Sequence, residues 1–207
     1  MTQTTARTAA AAVALLAAAA LVAQFIDSGT NPDLADPLIR LWRLGRYFTI
    51  LTNTLVAFSF AAIALGRHPG DSWVAGVLLS IGMVGLVYHT LLAPEVPFEG
   101  LEFWADLGLH TLVPLAVLGW WLVWGGKALR PGQVPWWLLW PAGYCAYALV
   151  RGLIDGRYPY FFLDIGRFGL ARVALNVAGM VLAFYLAGLV LLVLARLLSG
   201  RAPAAPS

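Results

Sequence analysis

Arg46-Tyr47-Phe48-Thr49-Ile50-Leu51-Thr52-Asn53, with the apolar run that follows it to Leu65, decides how this chain folds. It reads as the start of a membrane-spanning helix, with hydroxyl and amide groups just inside the apolar slab. On a helix Thr49, Thr52 and Asn53 stand at i, i+3 and i+4 and share one face. Polar groups inside hydrocarbon need partners, so that face is expected to look into a protein interior or a wet cavity. A packing explanation is simpler on this stretch alone. The threonines would bond back to carbonyls four residues earlier, and Asn53 would tie two helices together.

The surroundings of the stretch set the class. The chain has 207 residues, of which 61% are hydrophobic and 11% charged. Soluble domains carry about 25% charged residues, so the composition is that of an integral membrane protein. Six apolar segments of spanning length are expected, at about 8–26, 47–65, 73–92, 103–124, 134–154 and 170–198. The first is longer than a signal-peptide core and is kept as a span. Residues 27–46 read as a polar connection broken by Asn31-Pro32 and Asp36-Pro37, and the aromatic-rich 155–169 as an interfacial segment or short helix. The expected fold is therefore all-α, a polytopic membrane protein with six transmembrane helices in one domain over 1–199. Residues 200–207 form a proline- and alanine-rich tail expected to be disordered. Cys145 lies in an apolar run, has no partner cysteine in the chain, and reads as a small buried hydrophobe.

Charge assigns the sides. With the N-terminus inside, the inner segments hold Arg7, Arg67, Lys127, Arg130, Arg196 and Arg201 against Asp71, a balance of +5. Seven arginines and nine acids fall outside, a balance of −2, which together return the net charge of +3. The acid-poor inner turns favour both termini being cytoplasmic, in the inner membrane of a bacterium. The net positive charge is what loop arginines produce and requires no nucleic-acid partner. Seven outer arginines call for a reason other than topology.

That topology gathers the polar residues on one side. Thr49, Thr52 and Asn53 open the second span and His89 lies near the end of the third. Glu102, Asp106 and His110 open the fourth, each four residues apart and so on one face. Arg151 ends the fifth span, and Arg172 with Asn176 opens the sixth. Packing contacts would scatter across depth, whereas these share the outer half, and ionisable residues at membrane depth are functional candidates. A neutral imidazole, His110, is the base that a hydroxyl nucleophile requires. Asp106 could fix its tautomer, and Asn53, Arg172 or Asn176 could stabilise an oxyanion. His89, beside the membrane surface, reads as supporting or interfacial. The chain lacks G-x-S-x-G and H-E-x-x-H, and its single lysine lies in an inner loop. A serine hydrolase of the common fold, a zinc protease and an intramembrane retinal Schiff base are thereby disfavoured, and no metal or other cofactor is expected. The alternative is a six-span redox protein holding haem between His89 and His110.

Several short motifs are similar to one family. Tyr47-Phe48-Thr49-Ile50-Leu51-Thr52-Asn53, Tyr88-His89-Thr90, Asp106-Leu107-Gly108-Leu109-His110-Thr111 with Pro114, and Tyr158-Pro159-Tyr160 with Asn176 resemble the androgen-induced-protein-like membrane family. The resemblance, bacterial in type, covers about 27–198. The animal members are six-span intramembrane threonine hydrolases that cleave fatty acid esters of hydroxy fatty acids. The resemblance implies that Thr49 is the nucleophile and His110 the base. The chain departs from it in carrying Asp106-Leu107 where animal members have an Asn-His pair, and in offering a second hydroxyl at Thr52. The expected partners are the bilayer and an amphiphilic lipid ester, whose carboxylate would meet Arg46, Arg151 or Arg172.

Overall fold

The computed structural model describes residues 2–94 and 98–199. The tail at 200–207, and Glu95, expected among the outer acids, lie outside the described residues. Among the described residues the regular structure is entirely helical: α1 (Gln3–Ser28), α2 (Pro37–Leu44), α3 (Phe48–Ala64), α4 (Asp71–Val87), α5 (Gly100–Leu107), α6 (Val113–Trp124), α7 (Val134–Trp137), α8 (Leu139–Asp155) and α9 (Ile165–Ser199). Two single π-helical turns, Tyr88–Leu92 and Gly108–Leu112, extend α4 and join α5 to α6. Four continuous helical stretches are long and apolar enough to cross a membrane: Gln3–Ser28, Asp71–Leu92, Gly100–Trp124 and Ile165–Ser199. A fifth span is added if α2 and α3, which meet at 96°, are counted as one broken element. These helices mark an integral membrane protein.

The helices group into two compact units. The first comprises residues up to Pro69 together with Ser80–Trp124. Here α1 packs along α3 and α5. Its buried face is Ala10, Val13, Ala17 and Ala20, a stripe of small residues at helical spacing that lets neighbouring backbones close in. A Cβ on Gly108 would stand 2.7 Å from the Ala20 methyl, so the glycine sets that approach. Against α1, α3 buries Val56, Phe60 and Ile63. Phe60 meets Trp120 edge-to-face at 5.2 Å, and the Trp120 indole donates to the Ala6 carbonyl. Arg7 donates to the Ala64 carbonyl 2.9 Å away, a cation at the negative end of α3.

Residues 27–46, expected to be a polar connection, contain the short helix α2. Asp36 caps it, accepting from the N–H groups of Leu38 and Ile39, and Pro37 occupies its first turn. Leu38, Ile39, Leu41 and Trp42 are exposed along it, as on a helix lying in a membrane surface. Arg40 folds back and donates to the carbonyls of Phe25, Leu34 and Ala35, with its guanidinium 4.5 Å over the Phe25 ring. That arginine thus has a structural role, tying α2 to the end of α1.

The second unit comprises Gly70–Leu79 and the chain from Gly125 onward. The Trp137 indole donates to the Ser72 hydroxyl and lies against Gly76. Gly188 of α9 receives Val134 at a distance no larger residue would permit. The stretch expected as one span at 134–154 is two helices, α7 and α8, broken at Leu138. Pro141 has no N–H for the Trp137 carbonyl, and its ring crowds that carbonyl, which accounts for the break. Gly169, with φ of 73°, puts a kink inside α9 where the sixth span was expected to begin.

Candidate active site

The site lies in the first unit and begins with a missing hydrogen bond. Pro114 lacks the N–H that an unbroken helix would offer the His110 carbonyl. The N–H of Val113 bonds instead to the Gly108 carbonyl, five residues back, so Leu109 also loses its ordinary donor. The resulting π turn bulges His110 and Thr111 out of the α5–α6 register; such turns recur at functional sites. The Leu109 carbonyl is satisfied from another helix. Asn53, fully buried, donates its amide to that oxygen at 3.2 Å and to the Thr49 carbonyl at 2.9 Å. Asn53 therefore ties α3 to the turn that carries His110.

This register places three side chains in line. Asp106, one turn before His110, sets Oδ1 2.9 Å from His110 Nδ1, and the Asp106 main-chain carbonyl lies 3.2 Å from the same nitrogen. Both are acceptors, so Nδ1 carries the proton and Nε2 presents a lone pair. Nε2 faces the Thr49 hydroxyl at 3.4 Å. That distance is long for proton transfer, as contacts of this kind commonly are before substrate closes them. The side chains of His110 and Asp106 are 16% and 22% exposed, so the relay is sheltered but reachable.

Two further features complete the geometry. Thr49 and Ile50 lie in the first turn of α3, whose first main-chain bond runs from the Leu51 N–H to the Tyr47 carbonyl. Their N–H groups precede that bond and stand at the positive end of the helix. Across the site, Tyr88 lies flat on His110, with ring centroids 3.8 Å apart and planes 10° apart. Its hydroxyl donates to the Asp106 carboxylate. Gly85, one turn before Tyr88, permits this approach, since a Cβ there would come within 2.9 Å of the His110 carbonyl oxygen.

The other residues expected at the site distribute as follows. Thr52 is fully buried, whereas Thr49 is only partly so, which leaves Thr49 as the more accessible hydroxyl. Arg46 is buried in the link between α2 and α3. His89 forms a second imidazole–hydroxyl pair, Nε2 to Thr111 Oγ1 at 3.0 Å, on the exposed side. Among the described residues this pair has no counterpart of Asp106. Both amide protons of Asn53 are engaged by carbonyls, so the oxyanion role expected of it falls more naturally to the first turn of α3. Arg151, Arg172 and Asn176 belong to the second unit. There Arg151 donates to the Tyr147 hydroxyl at 2.6 Å, with Asp155 4.0 Å away. Asn176 donates to the Phe162 carbonyl, pinning α9 to the aromatic turn, and Arg172 is exposed. Tyr88, Thr111 and the helix N-terminus were not singled out from the sequence as site groups. Only Pro114, four residues after His110, signalled the register change.

No group of three or more potential metal-ligating residues occurs among the described residues. Both His110 nitrogens face protein groups, Asp106 and Thr49, and His89 Nε2 faces Thr111, which does not suit a bis-histidine haem. Compared with protein-family models, curated proteins and solved structures, the chain matches none.

Proposed function

We propose that this chain is an intramembrane hydrolase of lipid esters, with Thr49 as nucleophile, His110 as general base and Asp106 as the group that orients it. The observation that carries the proposal is the Thr49–His110–Asp106 line, with the imidazole in the tautomer a base requires. Thr49 Oγ1 adds to the ester carbonyl carbon while His110 Nε2 takes its proton. The first-turn N–H groups of α3 face the oxygen that becomes negative. As the tetrahedral species collapses, the C–O bond to the alcohol breaks and His110 returns the proton to the leaving oxygen. Water, deprotonated by the same imidazole, then adds to the acyl carbon of acyl-Thr49; as the bond to Thr49 Oγ1 breaks, His110 returns the proton to that oxygen and the acid is released. Throughout, Asp106 stabilises the transient imidazolium without taking the proton.

The resemblance to the androgen-induced-protein-like family supports the same roles and points to fatty acid esters of hydroxy fatty acids, or similar amphiphiles, as substrates. Arg46, three residues before the nucleophile, is the charge we assign to the lipid carboxylate. We place the chain in a bacterial inner membrane with six spans and both termini cytoplasmic. At 17 residues each, α3 and α8 are about 26 Å long, close to the thickness of a hydrocarbon core. The site then opens toward the outer leaflet.

Fluorophosphonate labelling of the detergent-purified protein tests the chemistry. Wild type should label, Thr49→Ala and His110→Ala should not, and Thr52→Ala should label more slowly than wild type. Retained labelling in folded Thr49→Ala would move the chemistry elsewhere. A reporter fused after Gly126 should read cytoplasmic and one after Gly100 external; the reverse would overturn the orientation.

A further inference from the structure

Tyr88 touches both members of the proposed His–Asp pair, and no step above uses it. It is 8% exposed, although its hydroxyl is a strong polar group at membrane depth. Its position is set by the π turn Tyr88–Leu92, which the Ala93 N–H closes on the Tyr88 carbonyl at 2.8 Å. From there the ring covers one face of the imidazole and its edge meets His89 at a centroid distance of 5.1 Å. The hydroxyl reaches past His110 to Asp106. Two contacts on one side chain thus bear on two partners that must stay in register.

A flat stack at 3.8 Å is unusual for a pair that needs only packing. Aromatic pairs more often settle edge-to-face or offset with centroids at about 4.5–7 Å. Asp106 is similarly over-determined. Its carboxylate accepts from the imidazole and from the phenol, and with two donors in place its rotation is restricted. The imidazole could otherwise turn about its χ2 angle and lose either Thr49 or Asp106.

We infer that Tyr88 is the positioning residue of the base: its ring holds the plane of His110, and its hydroxyl shares and pins the Asp106 carboxylate. This rests on His110 being the base. Glu102 on α5 and His89 on the Tyr88 turn also act on Asp106 through space, and Asp27 acts on Glu102. All three remain in place when only the hydroxyl is removed, so a change on its removal reports the phenol itself.

Two substitutions separate the two contacts. Tyr88→Phe keeps the stack and removes the bond to Asp106; Tyr88→Leu removes both. In Tyr88→Phe the carboxylate gives more of its charge to the imidazolium, so the ring holds its proton to higher pH. The acid limb of the pH profile for hydrolysis of a p-nitrophenyl acyl ester should move up by about 0.5–1 pH unit. Its plateau kcat should stay within a few-fold of wild type. Tyr88→Leu should lower the plateau by about ten-fold or more with little change in KM, as a misplaced base does.

A second readout needs no turnover. The chain has three histidines, so ¹⁵N-histidine spectra of detergent-solubilised protein can be assigned with His68→Gln and His89→Gln. His110 should show a single Nδ1–H tautomer in wild type and in Tyr88→Phe, and averaging between tautomers in Tyr88→Leu. With His110→Ala inactive, an unshifted acid limb in Tyr88→Phe overturns the hydroxyl's role, and an unaltered tautomer in Tyr88→Leu overturns the ring's. If His110→Ala stays active, the base assignment falls instead, and the spectra alone decide whether Tyr88 holds the ring.

Discussion

Gly85→Ala should injure chemistry far more than stability, because of where its methyl would go. The added Cβ would meet the His110 carbonyl oxygen at 2.9 Å and the Pro114 ring at 3.4 Å. An ordinary contact of this kind needs about 3.4 Å, so the two backbones must part by about 0.5 Å, and neither obstacle is a flexible side-chain end. One side of that parting carries Tyr88 and the other carries His110. If His110 moves, its 3.4 Å contact with Thr49 lengthens toward 3.9 Å, beyond hydrogen-bond reach. If α4 moves, the 3.8 Å stack on Tyr88 opens. A 1 Å misplacement costs about 100-fold in rate, so half of that should cost about ten-fold. Overpacking costs about 1–3 kcal/mol, offset by about 1 kcal/mol of helix propensity gained from replacing glycine. The control is one turn away: Gly82, on the same helix, has nothing within 4 Å of its added Cβ. Gly82→Ala should therefore match wild type in both properties. The assay is initial-rate hydrolysis of a p-nitrophenyl acyl ester beside thermal unfolding in the same detergent. Wild-type turnover in Gly85→Ala, or an equal loss in Gly82→Ala, would refute the reasoning.

Asn53→Ala should lower stability by about 1–2 kcal/mol, the upper range for an interhelical bond in a membrane, and should depress activity as the Leu109 carbonyl loses its donor; thermal unfolding and turnover on one preparation check this. Arg40→Ala releases three carbonyls around residues 25–35 and should cost about 1–3 kcal/mol, read as a lower Tm and faster proteolysis between α1 and α2. Burial holds Lys127 below its ordinary value of 10.5, with Asp71 opposing. The unfolded chain therefore binds that proton more readily than the folded one. Stability should fall as pH drops from about 10.5 through the lowered value, and Lys127→Met should flatten Tm against pH on that alkaline side.

What was legible in the sequence was whatever depends on spacing along one helix. Glu102, Asp106 and His110 at intervals of four fixed the Asp106–His110 contact, because residues one turn apart meet wherever the helix lies. Thr49, Thr52 and Asn53 were legible as one face for the same reason, with the deeper pair, Thr52 and Asn53, fully buried. Helix α2 was missed although Asp36-Pro37 is a capping residue followed by a first-turn proline. Those residues are also turn formers, and eight residues are too few for apolar periodicity to outweigh them. The break inside 134–154 was likewise available from Pro141, but composition over a whole span averages one missing N–H away.

The remainder could not be read locally, because it depends on which backbone groups lose their partners. Pro114 by its identity frees the His110 carbonyl, but whether the helix kinks, ends or slips to a five-residue bond is decided by what surrounds it. Here the slip is favoured because the freed Leu109 carbonyl finds Asn53 on α3, and because Gly85 and Gly108 let α4 and α1 approach the displaced turn. A regular α-helix through 108–112 would leave Asn53 without its interhelical acceptor and would turn His110 by a fraction of a turn away from Thr49. The same amide that looked like a catalytic donor in the sequence is thus consumed in placing the turn that carries His110. The hydrolase we propose also needs N–H donors for a developing negative charge, and the uncapped first turn of α3 offers them, which no side-chain motif announces.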